Sequence, residues 1–474
     1  MAKVQIQINN NKCKLIAHKK HLIFLREEFK IRAKNYFWSQ AYRNRQWDGY
    51  VRYISELTGQ FDTGLLDQVV ALLEKNKYKY TIQDNRVTFK PIRSIKKLGG
   101  LKFRPDQLEA VDLFLTHTIA GVKFRRGIMA EATNAGKSLI AGGIFASFSN
   151  KRTGLFLVNS VTLYEQAVKD FEALFPGDVG QVNRDKFIWK RINVCMVQTL
   201  YNRLHKFREY KNKLAKIDMV IVDEGDELIG RKDCRYILGQ TYNAPVRVCL
   251  SGTPLKHKDK TKNQQQLSFF GPIIHRIKNK ELVELGVSTQ PIITMSAGNA
   301  SESEKGNFQG EYDLGITRNR QRHKRVWKRV EYHLKKGRKS IVILFKYHSH
   351  GRRLMKSCPH SIINKHMVGL INSKSVARQS LLDDFKKGRI PILICSMIIR
   401  RGINIPIMKV LVNAAGGDSE SNLLQILGRA LRKHHKKKVV YIEDFWDQGH
   451  YLRRHSRHRL AYYKREGFKV REKF

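Results

Sequence analysis

Cysteine is sparse and scattered. The six thiols, Cys13, Cys195, Cys234, Cys249, Cys358 and Cys395, never form a Cys-x-x-Cys pair. That excludes the usual zinc and dithiol-redox signatures. Cys195, Cys249 and Cys395 stand in apolar runs and are expected to be core thiols. The N-terminus has no long apolar segment, and no apolar run reaches the roughly 18 residues of a membrane span. A soluble protein of a reducing compartment is expected. Acidic residues are scarce as well. Asp and Glu number 41 against 90 Lys and Arg, leaving +49 at pH 7. Such an imbalance speaks about partners rather than fold. A polyanion is the expected partner, with nucleic acid first; the alternative is a basic, merely solvated surface.

With 474 residues and 42% hydrophobic residues, the chain suffices for about three globular domains. Residues 1–95 are expected to form a small α+β domain. Val4 to Ile8 alternates like a strand, Asn9-Asn10-Asn11 turns, and Leu65 to Leu73 has helical spacing. Between them Tyr36-Phe37-Trp38, Tyr42, Trp47, Tyr50 and Tyr53 interleave with Arg43, Arg45 and Arg52. These aromatics are either the domain core, with the arginines outward, or a base-stacking surface. Ser94 to Gly100 reads as a linker. Residues 96–289 then carry short β-branched runs, at 155–158, 192–197, 219–222 and 246–250, separated by helical stretches. Runs apolar on both faces indicate a parallel sheet. Residues 290–474 repeat the pattern with strands expected at 340–345, 390–395, 410–413 and 439–442, then a basic helical tail. The run Arg432 to Lys438 reads as a solvated turn, with phosphate contact as the alternative.

The chemistry centres on Met129 to Ser138, which ends in Gly136-Lys137-Ser138. A glycine before lysine lets backbone wrap phosphate, the lysine adds charge, and the hydroxyl can ligate Mg²⁺. The strict phosphate-loop pattern has Gly where Glu131 stands. Asn134 occupies a position where flexible backbone is useful, and asparagine tolerates left-handed angles. Farther on, the apolar strand Met219 to Val222 ends in Asp223-Glu224. That suits an aspartate on Mg²⁺ and a glutamate that polarises water. Ser251-Gly252-Thr253 follows another strand, either as an ordinary turn or as a coupling element. Arg429 and Arg432 share one helix face in Gln425-x-x-Gly428-Arg429-x-x-Arg432. Paired arginines can stabilise charge in phosphoryl transfer.

In this order the segments resemble a superfamily 2 helicase. Phe103 to Gln107 is similar to the adenine-reading element, 129–138 to motif I, and Leu157-Val158-Asn159 to motif Ia. Val197 to Leu200 is similar to the next strand-contacting motif, Asp223 to Asp226 to motif II, and Ser251 to Thr253 to motif III. Ile341 to Phe345 resembles motif IV, and Cys395-Ser396 with Arg401 to Pro406 resembles motif V. Gln425 to Arg432 has every fixed position of motif VI. Trp47-Asp48-Gly49, Phe270-Gly271-Pro272 and Thr317-Arg318-Asn319 look more narrowly like phage UvsW-type branch-migration helicases, relatives of XPB and RecG motors.

The resemblance implies two tandem RecA-like α/β lobes after the N-terminal domain. It implies ATP and Mg²⁺ as cofactors, ATP lying in the cleft between the lobes. Arg104 and Gln107 would read adenine. Thr133, Asn134, Ala135, Gly136, Lys137, Ser138, Gly402 and Asn404 would contact nucleotide. Ser138 and Asp223 would hold the metal, and Lys137, Asp223, Glu224, Gln425, Arg429 and Arg432 would be catalytic. Asn159, Gln198, Thr199, Lys346 and Ser396, with Arg43 and Arg45 of the N-terminal domain, would contact nucleic acid. The expected activity is an ATP-dependent DNA helicase or translocase on forked, branched or duplex DNA, without a membrane partner, in bacterial or phage-infected cytoplasm. Alternatives are a duplex translocase subunit of a restriction or remodelling complex, an RNA helicase, or a non-catalytic scaffold. No P-D-x(n)-E-x-K nuclease element supports the restriction reading.

Overall fold

The computed structural model describes residues 4–92, 95–298, 307–372, 375, 377–400 and 405–474. The chain divides into two compact units, one of Met1–Glu131 with Gly136–Ile277, the other of Ala132–Ala135 with Lys278–Phe474. The division falls after Ile277 rather than at 289. The strand Ile273–Ile277 closes the edge of the first sheet. Immediately beyond it, Asn279 Nδ2 donates to the buried Glu466 carboxylate at 3.0 Å, within the second unit.

The first unit is built on an eight-stranded sheet. Its order is Phe187–Ile188, Val179–Val182, Ile192–Met196, Gly154–Val158, Met219–Asp223, Val246–Ser251, Arg126–Glu131, Ile273–Ile277. All neighbours are parallel except the short Phe187–Ile188 edge strand. Arg126–Glu131, Gly154–Val158 and Val246–Ser251 are buried at every position, as expected of strands covered by helices on both faces. The parallel direction brings the ends of the strands 126–131, 219–223 and 246–251 to one edge of the sheet. Their following loops therefore cluster there.

The N-terminal segment packs into this unit. Gln60–Asp62, Lys12–Ile16, Val4–Ile8 and Tyr80–Asp84 form a four-stranded sheet in that order. The turn at Asn9 to Asn11 closes its antiparallel hairpin, with Ile8 opposite Cys13. The helix Leu66–Lys75 buries Leu66, Val69, Val70 and Leu73 at helical spacing. The same apolar cluster takes in Ile119 and Phe124. Gly64 lies so close to the helix Lys260–Phe270 that a Cβ there would sit 2.2 Å from the Leu267 carbonyl oxygen. Tyr53 donates to the Thr261 carbonyl at 3.0 Å. Residues 97–98, expected within a linker, pair with 101–102 as a short antiparallel ribbon.

The second unit holds a seven-stranded, all-parallel sheet. Its order is Val368–Ile371, Ile392–Ser396, Ile341–Phe345, Val410–Val412, Val439–Trp446, Gln290–Ala297, Val470–Lys473. Helices are started by side-chain caps, Asn319 accepting from Arg322 N–H at 2.8 Å and Ser419 from Asn422 N–H at 3.3 Å. The basic tail is not only helical. After the helix His450–Arg465, Val470–Lys473 adds an edge strand beside Gln290–Ala297. The basic turn near 432–438 is not wholly solvated either, because Lys437 is buried and donates to the Ala430 carbonyl at 2.8 Å. All six cysteines are buried and free. Among the described residues no helix is long and apolar enough to cross a membrane.

A buried histidine pair makes this unit acid-sensitive. His323 and His350 stack at 5.4 Å, and neither His350 ring nitrogen has a partner. Burial, then Arg322, pulls His323 down to about 4 and His350 well below its ordinary value. Between roughly pH 6.5 and pH 4 the unfolded chain therefore binds more protons than the folded one. The contribution is complete above about pH 6.5 and is lost as pH falls, by up to about 1.4 kcal/mol per unit for each histidine. Chemical denaturation of wild type and His350→Leu across this range should give a stability difference that shifts in the variant's favour as pH falls. A pH-independent difference would contradict the assignment.

Candidate functional site

The phosphate loop grows out of a fully buried strand. Glu131, at its end, is 0% exposed. Its carboxylate meets His275 Nδ1 of the adjacent strand at 2.6 Å. Burial lowers the His275 pKa, but the Glu131 contact outweighs it and the net shift is upward. Glu131 is thus a structural anchor at a position where the strict pattern has glycine. Asn134 has φ +81° and Gly136 φ +87°, the left-handed angles that a tight loop requires. Gly136 has a second constraint, since a Cβ would lie 2.3 Å from Gln107 Nε2. Lys137 then opens the helix Lys137–Ala146, whose last seven residues are all buried.

Lys137 and the acids of Asp223-Glu224 converge within the first unit. Lys137 Nζ lies 2.8 Å from Glu224 Oε1 and 3.8 Å from Asp223 Oδ1. Burial would lower the Lys137 pKa; the two carboxylates outweigh it and raise it. Burial pushes the Asp223 carboxyl up, against the pull of Lys137. Glu224 has φ +49°, a left-handed angle that costs a non-glycine residue energy. Its N–H donates to Asp223 Oδ1 at 3.0 Å. Ser138 donates to Asp170 Oδ2 at 2.8 Å. Its proton is thereby occupied while its oxygen lone pairs remain free to accept. Burial raises Asp170, on the helix Val161–Leu174. Asp170 was not foreseen: it lies within an ordinary amphipathic helix and outside every motif.

Ser251 and Thr253 reach the same loop. Ser251 Oγ donates to Asp226 Oδ1 at 2.7 Å and Thr253 Oγ1 to Asp226 Oδ2 at 3.0 Å, all three residues being buried. The Ser-Gly-Thr segment is therefore tied to Asp226 in the short helix Gly225–Leu228. Arg104 caps the helix Pro105–Thr116 and pairs with Asp106 at 2.8 Å, while the buried Gln107 accepts from Arg104 N–H at 3.0 Å.

Two of the expected nucleic-acid residues of this unit are brought together by a third. Asn159 follows the strand Gly154–Val158, and Gln198 starts the helix Val197–Lys206. Arg231 donates to Asn159 Oδ1 and, at 3.0 Å, to Gln198 Oε1. Arg231 stands in a loop without periodicity, and nothing in sequence pointed to it. Thr199 is half-buried beside Gln198. Arg43 and Arg45 are both exposed. Of the neighbouring aromatics, Tyr36, Tyr42, Trp47, Tyr50 and Tyr53 are half-buried, Tyr53 packing against the apolar cluster, and Phe37 and Trp38 are exposed.

In the second unit, Gln425, Arg429 and Arg432 lie on or just after the helix Glu420–Ala430, with Gln425 buried. Residues 132–135 group with this unit. Asn134 Nδ2 donates to the Gly428 carbonyl at 2.9 Å, and Arg432 Nε donates to Asn134 Oδ1 at 3.1 Å. Gly428 faces Thr133, where a Cβ would come within 2.3 Å of the threonine Cβ. Ala135 is buried. Burial lowers the Arg432 pKa. Lys346 and Ser396, at the ends of two adjacent strands, line one cavity of about 540 Å³ together with Asn413, Asp418 and Arg459. Lys346 Nζ also lies 4.8–5.5 Å from the ring centres of Tyr347, Tyr312 and Phe308. Gly402 and Asn404 lie outside the described residues.

Comparison with known proteins follows the same division. Residues 100–256 match the family described as type III restriction enzyme, res subunit, and residues 324–434 match the helicase conserved C-terminal domain. The chain is 24% identical over 448 residues to the ATP-dependent DNA helicase uvsW of Enterobacteria phage T4, covering 89% of this chain and 86% of that protein. It is 24% identical over 362 residues to a Saccharomyces cerevisiae protein named as the ATP-dependent helicase IRC3, covering 72% of this chain but 51% of that protein. The chain thus spans about half the length of that relative. Its fold matches a fragment described as an HsdR subunit of a type I restriction enzyme from Vibrio vulnificus YJ016. The TM-score is 0.58 at 17% identity, over 78% of this chain and 68% of that one. With two RecA-like sheets, and the res-subunit and helicase C-terminal families matched in order along it, the chain belongs to the superfamily 2 helicases.

Proposed function

We propose that this helicase is an ATP-driven DNA motor acting on forked and branched DNA. The observation that carries the ATP site is the half-buried Lys137, held by Glu224 and Asp223 at a helix N-terminus just after the left-handed Gly136. Lys137 takes the β/γ-phosphates and the loop N–H groups cradle them. Glu224 orients the attacking water and accepts its proton. Arg429 and Arg432 neutralise charge on the transferred phosphoryl group. The buried Gln107 and the Arg104 that caps its helix select the base. Gly402 and Asn404 are further proposed nucleotide contacts.

Ser138 and Asp223 fit Mg²⁺, which uses one or two protein oxygens and takes the rest from phosphate and water. The fit rests on Ser138, whose proton goes to Asp170 and whose oxygen is left to accept. When bound, the ion supplies charge neutralisation between the phosphates. Asp170 fixes the Ser138 hydroxyl. In Asp170→Ala, the Mg²⁺ concentration for half-maximal ATPase should rise about 10–100-fold, the usual effect of losing a group that orients a ligand. A fall in kcat with unchanged Mg²⁺ dependence would contradict this role.

Asn159, Gln198 and Thr199 of the first unit, the first two steadied by Arg231, are proposed nucleic-acid contacts, as are Lys346 and Ser396 of the second. The excess of positive charge suits a sequence-independent grip on phosphates, which a sliding motor needs. UvsW likeness over most of both chains favours a branch-migrating DNA motor. The test is conversion of a four-way junction or replication-fork substrate into its regressed or unwound products. Product that requires both protein and ATP supports the proposal. ATP hydrolysis without strand exchange or separation supports the second reading, a duplex translocase of a restriction assembly. That reading is favoured by the res-subunit match over 100–256.

A further inference from the structure

We propose that the surface turn Tyr36–Trp38, with Arg32 and Arg43, is a stacking site for unpaired nucleobases. The proposal deepens the DNA reading above and rests on it. Asn35, at φ +59°, turns the chain into a 3₁₀ turn that splays three consecutive aromatics. Tyr36 is the fixed member. The Arg32 guanidinium lies 4.2 Å from its ring centre and Tyr42 meets it edge-on at 4.7 Å. Gly49, at φ +82°, gives it a bare backbone floor, since a Cβ there would approach the ring to 2.9 Å. Phe37 and Trp38 face outward, 49% and 68% exposed, with ring centres 5.3 Å apart. Arg43 lies 5.6 Å from the Trp38 ring, and its Nε donates to the Phe37 carbonyl at 3.3 Å.

The charge of the patch selects the occupant. Between Lys30 and Arg52 the chain carries six Lys and Arg against one acid, Asp48. Asp48 is already held by two hydrogen bonds from Arg52. An apolar platform rimmed by cations suits a ligand with both aromatic faces and phosphates. Bases inside a duplex have their faces covered by neighbours, whereas unpaired bases do not. The site therefore favours the single-stranded arm of a fork over continuous duplex. Stacking is available to every base whatever its identity, so it biases a motor that otherwise grips only phosphate without adding sequence preference.

The experiment uses full-length wild type, Phe37→Ala/Trp38→Ala and Trp38→Phe at one fixed salt concentration. Binding is measured by anisotropy to a dT oligonucleotide and to a blunt duplex with the same number of phosphates. Unchanged circular dichroism and melting establish that the variants are folded. The double variant should lose at least about tenfold in dT affinity, while duplex affinity changes less than about twofold. Trp38→Phe, which keeps a ring, should bind dT nearly as wild type. Equal losses on both ligands, or no loss on either, would overturn the proposal. The latter is also the outcome if the patch serves a protein partner. The broader DNA-motor reading fails separately, if wild-type ATPase is not stimulated by DNA.

Discussion

Replacing Lys137 by alanine should lower DNA-stimulated ATPase by about 10²–10³-fold, the effect expected when one preorganised charge is removed from a reacting phosphoryl group. Lys137 is the group at which the first unit's helix N-terminus and acidic strand end meet. Its loss also removes the cation that faces the half-buried Asp223 and Glu224 carboxylates. The water-orienting acid would then be weakened along with the phosphate contact. DNA affinity in the absence of nucleotide should stay within a few-fold of wild type, because the proposed nucleic-acid contacts use other residues. A variant with full ATPase, or one that loses DNA binding and ATPase together, would remove Lys137 from this role.

The largest stability effect should come from a charge cluster in the core of the second unit. Arg322 is 0% exposed, and its Nε and Nη2 reach the Asp447 carboxylate at 2.6 and 3.1 Å. Arg459, also buried, donates to Asp444, which in turn accepts from Tyr463 at 3.0 Å. Burial would depress the Arg459 pKa; Asp444 and Asp447 outweigh it and raise it. Such a cluster tolerates the loss of one partner far less well than the replacement of a whole pair. Asp447→Asn should destabilise the unit by about 3–5 kcal/mol, since Arg322 keeps its buried charge. Arg322→Leu/Asp447→Leu should cost clearly less. Urea denaturation followed by circular dichroism measures both. A single variant within about 1 kcal/mol of wild type would show that the cluster is not coupled as described.

The parts of the molecule legible in its sequence are those with local repetition or fixed spacing. Apolar runs such as Val246 to Leu250 announced two-sided burial, and the parallel sheets follow from them. Asn134 was compatible with a left-handed loop, and it adopts φ +81°. What escaped depends on pairs distant in sequence. Glu131 meets His275 across 144 positions, and Arg322 meets Asp447 across 125. Asp170 acts through a contact with Ser138 and Arg231 through contacts with Asn159 and Gln198, so neither leaves a pattern of its own. The edge strand Val470–Lys473 is charged at three of four positions and carries no strand-like alternation of apolar residues. The aromatic cluster at 36–53 stayed ambiguous because composition does not distinguish a small core from a stacking surface. In the structure Phe37 and Trp38 of this cluster are exposed, and the apolar core of the segment is supplied elsewhere, by residues such as Val4, Ile6, Phe61 and Leu66.

The central claim is that ATP hydrolysis in this chain is driven by DNA, and by branched DNA most of all. It is tested most directly by wild-type ATPase rates with no polymer, single-stranded DNA, blunt duplex, forked duplex, a four-way junction and RNA. All are compared at equal phosphate concentration and fixed salt. The account predicts strong stimulation by DNA, with fork and junction ahead of blunt duplex and RNA weakest. Equal rates with and without every polymer, or the strongest stimulation by RNA, would contradict it.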